Sequence, residues 1–207
     1  AAAPRGGARL ARAAEFVDPL DSPAAPSALA PRALLTAVAR AGARLVAVGQ
    51  RGHVLWSDDA GRSWTQAAVP VSSDLTAVHF PSPRRGFAVG HDGLVLATGD
   101  GGRTWTKRLD GRGIEALLRA RHGVPAVATR DAIAEQALAL ADRAPGVSLL
   151  AVWFADEQVG FVAGAFGLLL RTAGVVVCFL GAAVFVDGAL ALPADVEDLA
   201  HVNVRPD

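Results

Sequence analysis

Ser57-Asp58-Asp59-Ala60-Gly61-Arg62-Ser63-Trp64 and Thr98-Gly99-Asp100-Gly101-Gly102-Arg103-Thr104-Trp105 are two copies of one pattern, Ser/Thr-x-Asp-x-Gly-x-Ser/Thr-Trp, set 41 residues apart. The spacing has a physical logic. An aspartate accepts hydrogen bonds from the backbone of its own turn, so the turn is held without a ladder partner. The glycine supplies a backbone angle that a side chain resists. The hydroxyls satisfy the remaining turn groups. The tryptophan anchors the hairpin to an apolar layer beneath it, burying about 150–250 Å². One copy would say little; two copies, each after a matching strand pair, decide the fold.

Working outward, three segments align. Leu35-Thr36-Ala37-Val38 precedes Leu45-Val46-Ala47-Val48-Gly49 and Gly52-His53-Val54-Leu55-Trp56-Ser57. Leu75-Thr76-Ala77-Val78 precedes Gly86-Phe87-Ala88-Val89-Gly90 and Gly93-Leu94-Val95-Leu96-Ala97-Thr98. Leu149-Leu150-Ala151-Val152 precedes Gly160-Phe161-Val162-Ala163-Gly164 and Gly167-Leu168-Leu169-Leu170-Arg171-Thr172. Val38 to Val78 is 40 residues and Val78 to Val152 is 74, so an insertion of about one repeat separates the second and third units. Short apolar runs broken by glycine at a period near forty are the signature of β-propeller blades. The expected fold is mainly β: a partial, incomplete propeller of antiparallel blades with an inserted αα-hairpin.

With these residues in hand, the chain resembles the photosystem II stability/assembly factor-like BNR-repeat propellers, a family within the sialidase-like superfamily with bacterial members in organisms without photosynthesis. The match is good over 33–110 and partial over 147–172. The turns look like the family's Asp-boxes, which the resemblance makes structural hairpins away from any active centre. In that role it assigns Ser57, Asp59, Gly61 and Trp64 in the first copy, and Thr98, Asp100, Gly102 and Trp105 in the second. The family's propellers have seven blades; three units are too few to close a ring.

The expected organisation is a Pro- and Ala-rich arm or linker over 1–32 and a propeller-like region over 33–187. Its blade units lie near 33–70, 71–110 and 147–187. Prolines 4, 19, 23, 26 and 31 oppose regular structure in the arm, apart from a short helical stretch at 10–16. Between the second and third units, Ile114, Leu117, Leu118 and Arg121, then Ile133, Ala137, Leu140 and Ala141, have helical spacing. Gly123-Val124-Pro125 breaks the two helices and Pro145-Gly146 ends the second, which places a helical insertion over 112–146. After Thr172 the box pattern stops: Ala173-Gly174-Val175-Val176 stands where an Asp-Gly-Gly turn is expected, as a shifted reading frame would produce. Residues 173–186 carry no charge, short of the about 20 that a membrane-spanning helix needs, and their Val and Phe content favours strands. A polar tail is expected over 188–207. No secretory signal pattern is visible, and Ala1 in place of methionine is expected to mark a processed or truncated chain.

The 207 residues are 52% apolar and 19% charged, with mean hydropathy +0.33, which is not the composition of a disordered chain. Twenty basic and 20 acidic residues balance, so no nucleic-acid partner is expected. One cysteine, Cys178, excludes an internal disulfide and any multi-cysteine metal site. The chain has no tyrosine, and sialidases use a tyrosine nucleophile. His53, His79, His91, His122 and His201 have no zinc-type spacing. His53 and His91 precede the third strands of their units. Asp156-Glu157 is a carboxylate pair, but adjacency in a loop points the two side chains apart. No cofactor and no metal are expected, and no catalytic constellation is found.

Arg84-Arg85 is the compact basic loop, suited to an acidic tail or a terminal carboxylate of a partner. The expected function is therefore a non-enzymatic protein-binding scaffold. The resemblance implies another protein as partner, a membrane complex among the candidates, and an exported, periplasmic or membrane-associated location in a bacterium. Self-association through an open blade edge is a further expectation. Two alternatives stay open: a glycan-binding or glycoside-hydrolase-like propeller, and a degenerate or frame-shifted fragment without activity.

Overall fold

Leu35–Ala41 (β1) alternates half-buried and exposed residues, whereas Arg44–Gly49 (β2) is buried along nearly its whole length. That contrast is what a strand at the rim and a strand at the centre of a packed sheet produce. β1 and β2 form an antiparallel meander with Val54–Ser57 (β3) and Thr65–Gln66 (β4). The second repeat builds the same four-stranded sheet from Leu75–His79 (β5), Gly86–Gly90 (β6), Val95–Thr98 (β7) and Thr106–Leu109 (β8). The third builds it from Leu149–Phe154 (β9), Val159–Gly164 (β10), Leu168–Ala173 (β11) and Val176–Ala182 (β12). A two-stranded hairpin, Val184–Val186 (β13) with Ala189–Ala191 (β14), follows. This is a computed structural model, and it describes residues 17–122, 139–173, 176–182, 184–186 and 189–191.

The three sheets stack as an incomplete, unclosed propeller. β5 packs against β1 on one side and β9 on the other. The middle sheet uses both faces. Val78, Ala88, Leu96 and Trp105 join Val46, Val48 and Val54 of the first sheet in one core. Val89 and Val95 join Leu149, Val162, Leu168 and Leu170 of the third in another. Phe87 and Phe154 stack across that second junction with centroids 3.7 Å apart.

The first strands are stapled to each other. The Thr36 hydroxyl donates to the Leu75 carbonyl (2.7 Å) and the Thr76 hydroxyl to the Leu149 carbonyl (2.5 Å). The equivalent residue of the third repeat is Leu150, which has no hydroxyl to donate.

The insertion is helical. Gly111–His122 (α1) begins at Asp110, whose carboxylate caps the Gly113 N–H at 3.1 Å. Ile114 and Leu118 are fully buried with Leu140 and Ala141, so the helical hairpin closes the core between the second and third sheets. Arg119 pairs with Glu115 (2.9 Å) and with Asp142 (2.6 Å), which ties α1 to the end of the second helix. Leu117, expected on the apolar face, is partly exposed. The helix break at 123–125, the positions of Ile133 and Ala137, and the arm's helical stretch at 10–16 lie outside the described residues.

Residues 17–33 lie along the connection between the first two sheets. Leu20 is buried in the first core, Ala24 N–H donates to the Val69 carbonyl (3.1 Å), and Lys107 reaches the Leu20 carbonyl (2.8 Å). In the apolar run after Thr172, Val176–Ala182 pairs with β11 from Ala173↔Val176 to Leu168↔Ala182. The third sheet thus keeps its fourth strand although the Asp-Gly-Gly turn is missing. Among the described residues, no helix is long and apolar enough to cross a membrane, which says nothing of membrane strands.

Candidate functional site

Each Ser/Thr-x-Asp-x-Gly turn is closed by its own side chains. In the first, the Ser57 hydroxyl accepts from Gly61 N–H (2.9 Å) and donates to Asp59 (2.7 Å), and Asp59 accepts Ser63 N–H (2.9 Å). In the second, the Thr98 hydroxyl accepts from Gly102 N–H (3.1 Å) and donates to Asp100 (2.8 Å). Asp100 accepts the amides of Arg103 and Thr104 (2.9 and 3.0 Å). Gly61 and Gly102 share φ = 87°, the left-handed region that glycine enters without penalty.

The tryptophans differ. Trp105 is 4% exposed, donates its indole N–H to the Gly102 carbonyl (3.1 Å) and meets Phe80 edge-on. It lies at the junction of the first and second sheets. Trp64 sits in the equivalent corner of the first sheet and is half-buried.

Both turn aspartates are strong acids. The hydroxyl and amide of Ser63 and the hydroxyl of Ser57 hold Asp59 at about 2. For Asp100, burial pushes upward, but bonds from Thr104, Thr98 and Arg103 together outweigh it and leave the group at about 2. A carboxyl whose folded pKa lies below its unfolded value, about 3.9, stabilises the fold above that value. The contribution is lost as pH falls through about 2. The melting temperature of the wild-type chain should therefore fall between pH 4 and pH 2 toward that of the Asp59→Asn/Asp100→Asn variant, and a constant gap between the two profiles would refute the assignment.

Between the two turns lies a cleft of about 450 Å³ lined by Arg44, Arg84 and Arg103, by Asp58 and Asp100, and by the backbone around Ala41, Pro83 and Gly101. Arg44 is its floor. Its guanidinium grips Asp58 through two bonds (2.7 and 2.8 Å), donates to the Gly101 carbonyl (3.0 Å) and stands 4.6 Å over the Trp56 ring. That bidentate bond holds the Asp58 carboxyl below the usual carboxylate range. Arg103 also stands over the same indole, at 5.2 Å, and lies 3.8 Å from Asp58. Arg84 lines the cleft, is exposed and forms no salt bridge among the described residues. Three guanidinium groups face two carboxylates. One carboxylate is held by Arg44 and the other by its own turn, so the free charge of the cleft is positive.

The structure separates the Arg84-Arg85 pair: Arg84 lines the cleft, while Arg85 turns toward Phe87, 5.9 Å from the ring. Sequence reasoning missed Arg44 and Arg103. A signal existed for Arg44, because it and Arg85 occupy the same repeat position, where the second strand of each unit begins. His53 and His91 do not converge: His53 is buried with its Nδ1 unpartnered, and His91 is exposed and shares a 2.7 Å bond with Ser148. Asp156 closes its own turn by accepting the amides of Gln158 and Val159 (both 2.7 Å). No group of three or more His, Cys, Asp or Glu among the described residues is placed to hold a metal ion.

Residues 57–119 match the family described as "Photosynthesis system II assembly factor YCF48", so the chain carries a partial BNR-type propeller match that runs from the end of β3 in the first sheet, through the whole second sheet, into α1. No curated protein matches. Among solved structures, "YCF48 from Cyanidioschyzon merolae" is similar with a TM-score of 0.48 and 18% identity over 75% of this chain and 39% of that one. "YCF48 bound to D1 peptide" is similar at 0.47 and 15%, over 71% and 40%. An ancestral GH74 enzyme is similar at 0.46 and 15%, over 74% and 21%. The chain spans about two fifths of the length of the two YCF48 structures.

Proposed function

We propose that this chain is a non-enzymatic protein-binding scaffold of the assembly-factor kind. Its cleft between the first two sheets receives a carboxylate-bearing segment of a partner protein, such as an acidic tail. The observation that carries the reading is the cleft's charge arrangement. Arg84 and Arg103 frame the opening, and Arg44 and Asp58 hold the floor rigid beneath them. A guanidinium presents a planar fork that matches a carboxylate through two parallel bonds. Arg103 is already oriented by Trp56, so little freedom is lost when it takes up a ligand. In this reading the two Ser/Thr-Asp-Gly-Trp turns hold the cleft's walls in place and perform no chemistry. We place the protein with a membrane complex, exported or membrane-associated, and cell fractionation tests that location.

The binding test uses short peptides ending in Asp or Glu, with a free or an amidated carboxyl terminus, read by fluorescence anisotropy. Arg84→Ala and Arg103→Ala should each weaken binding by about tenfold, as expected for a lost charge-assisted hydrogen bond. Affinity should also fall with added salt. Equal affinity of the wild-type chain and the Arg84→Ala/Arg103→Ala variant would remove the cleft from the mechanism.

A further inference from the structure

Asp58 fills the variable position of its turn, between Ser57 and Asp59, and the turn does not need it. Among the described residues its carboxylate meets only Arg44 and Arg103, both outside the turn. In the second turn Gly99 stands in the same place, and that turn closes through the same bonds from hydroxyl, aspartate and amide. A Cβ on Gly99 would meet nothing within 4 Å, so space does not exclude a larger residue there. The carboxylate at position 58 is an addition to the repeat.

It occupies one arginine fully. Arg44 Nε and Nη2 donate to its two oxygens (2.7 and 2.8 Å), while Nη1 turns to the carbonyls of Gly101 and Asp100 (3.0 and 3.4 Å). The Arg44 side chain is 10% exposed and that of Asp58 52%, so the carboxylate is the open end of the pair and the guanidinium lies beneath it. The same carboxylate is 3.8 Å from Arg103, one of the two arginines that frame the opening. Arg85, the counterpart of Arg44 in the second sheet, makes no salt bridge among the described residues and turns to the Phe87 ring instead. An arginine at this position does not by itself require a carboxylate beside it.

A carboxylate gripped at both oxygens by one guanidinium has the geometry of a bound ligand. We propose that Asp58 is a resident competitor in the cleft: it fills the seat that Arg44 offers to a carboxylate, contends with an incoming carboxylate for Arg103, and so sets which anions the cleft accepts. This deepens the reading of the cleft as a carboxylate site and rests on it. With Asp58 in place the innermost guanidinium is withheld from small free anions, and the charge left for a ligand is that of Arg84 and Arg103. A like charge beside the seat rejects a ligand whose whole attraction is its charge. A partner segment adds contacts along the cleft walls and overcomes the competitor; a free anion has none to add.

Two variants of the full chain separate charge from occupancy. Asp58→Asn keeps the shape and an oxygen for Arg44 but loses the charge. Asp58→Ala empties the seat as well. Both remove the counter-charge of a largely buried arginine, so both should melt below the wild type. The Asp-ending peptide with a free carboxyl terminus should nevertheless bind Asp58→Asn about 5–10-fold more tightly than it binds the wild type, as expected when one like charge leaves the neighbourhood of the site. Sodium acetate, compared with sodium chloride at equal ionic strength, should raise the melting temperature of Asp58→Ala and not that of the wild type. A residue that only braces the floor predicts the opposite sign, with weaker peptide binding by both variants. Equal or weaker binding by Asp58→Asn, beside wild-type binding that Arg84→Ala and Arg103→Ala still weaken, overturns the proposal and leaves the cleft reading standing. An equal response of the wild type and Asp58→Ala to acetate also overturns it. Acetate rescue of Asp58→Ala in a chain that takes up no peptide supports the occupied seat while removing the peptide reading, and the absence of both responses overturns both.

Discussion

Trp105→Ala is expected to destabilise the chain by about 3–5 kcal/mol, the cost of emptying a buried aromatic site. Its neighbours explain why the site will not refill. Trp105 is enclosed by the first core, its indole N–H is bonded to the Gly102 carbonyl, and the connecting segment pairs with it through Ala68, which accepts Trp105 N–H at 3.1 Å. A Cβ on Gly102 would come 3.0 Å from Val46, so backbone and side chains of two sheets already press together there. Trp64→Ala removes the same side chain from the same corner of the first sheet, where no sheet among the described residues covers it from the other side, and should cost only about 1–2 kcal/mol, in proportion to the area covered. Urea unfolding of the two variants side by side measures this. Equal losses would mean that the tryptophan serves its own hairpin and not the junction.

Gly90→Ala is the second large effect, ~3 kcal/mol or more. The added Cβ would lie 2.1 Å from the Asp74 carbonyl oxygen, and that oxygen cannot retreat without breaking its bond from His91 N–H (2.9 Å). Gly49 stands in the same relation to the Leu34 carbonyl, also at 2.1 Å. In the third sheet the crowding relaxes. A Cβ on Gly164 would meet a flexible Leu149 methyl at 3.0 Å and the Ser148 carbonyl at 3.1 Å. Gly164→Ala should therefore cost no more than ~1 kcal/mol, the low end of overpacking effects. A Gly90→Ala chain that melts with the Gly164→Ala chain would contradict the close approach.

The residues that were legible as sequence are those whose partners are near in the chain. Asp59 and Asp100 bond groups within four residues, so the eight-residue pattern contained the whole turn, and repetition supplied the sheets around it. The helical insertion was legible for the same reason, since Ile114 and Leu118 declare one face by spacing alone. Arg44 was not. Its partners Asp58 and Gly101 lie 14 and 57 residues away: Asp58 reaches it through the pairing of β2 with β3, and Gly101 only because consecutive sheets stack.

The division follows the range of the forces involved. Hairpin chemistry, strand alternation and the forty-residue period act between close neighbours, and the sequence by itself determined the blades, their turns and the helical insertion. Which arginine of the 84–85 pair lines a cleft, which tryptophan is sealed, and which apolar residues remain open at the ends of the stack depend on burial between sheets. Only the tertiary structure decided those, because burial is a property of surfaces that meet after the chain has folded.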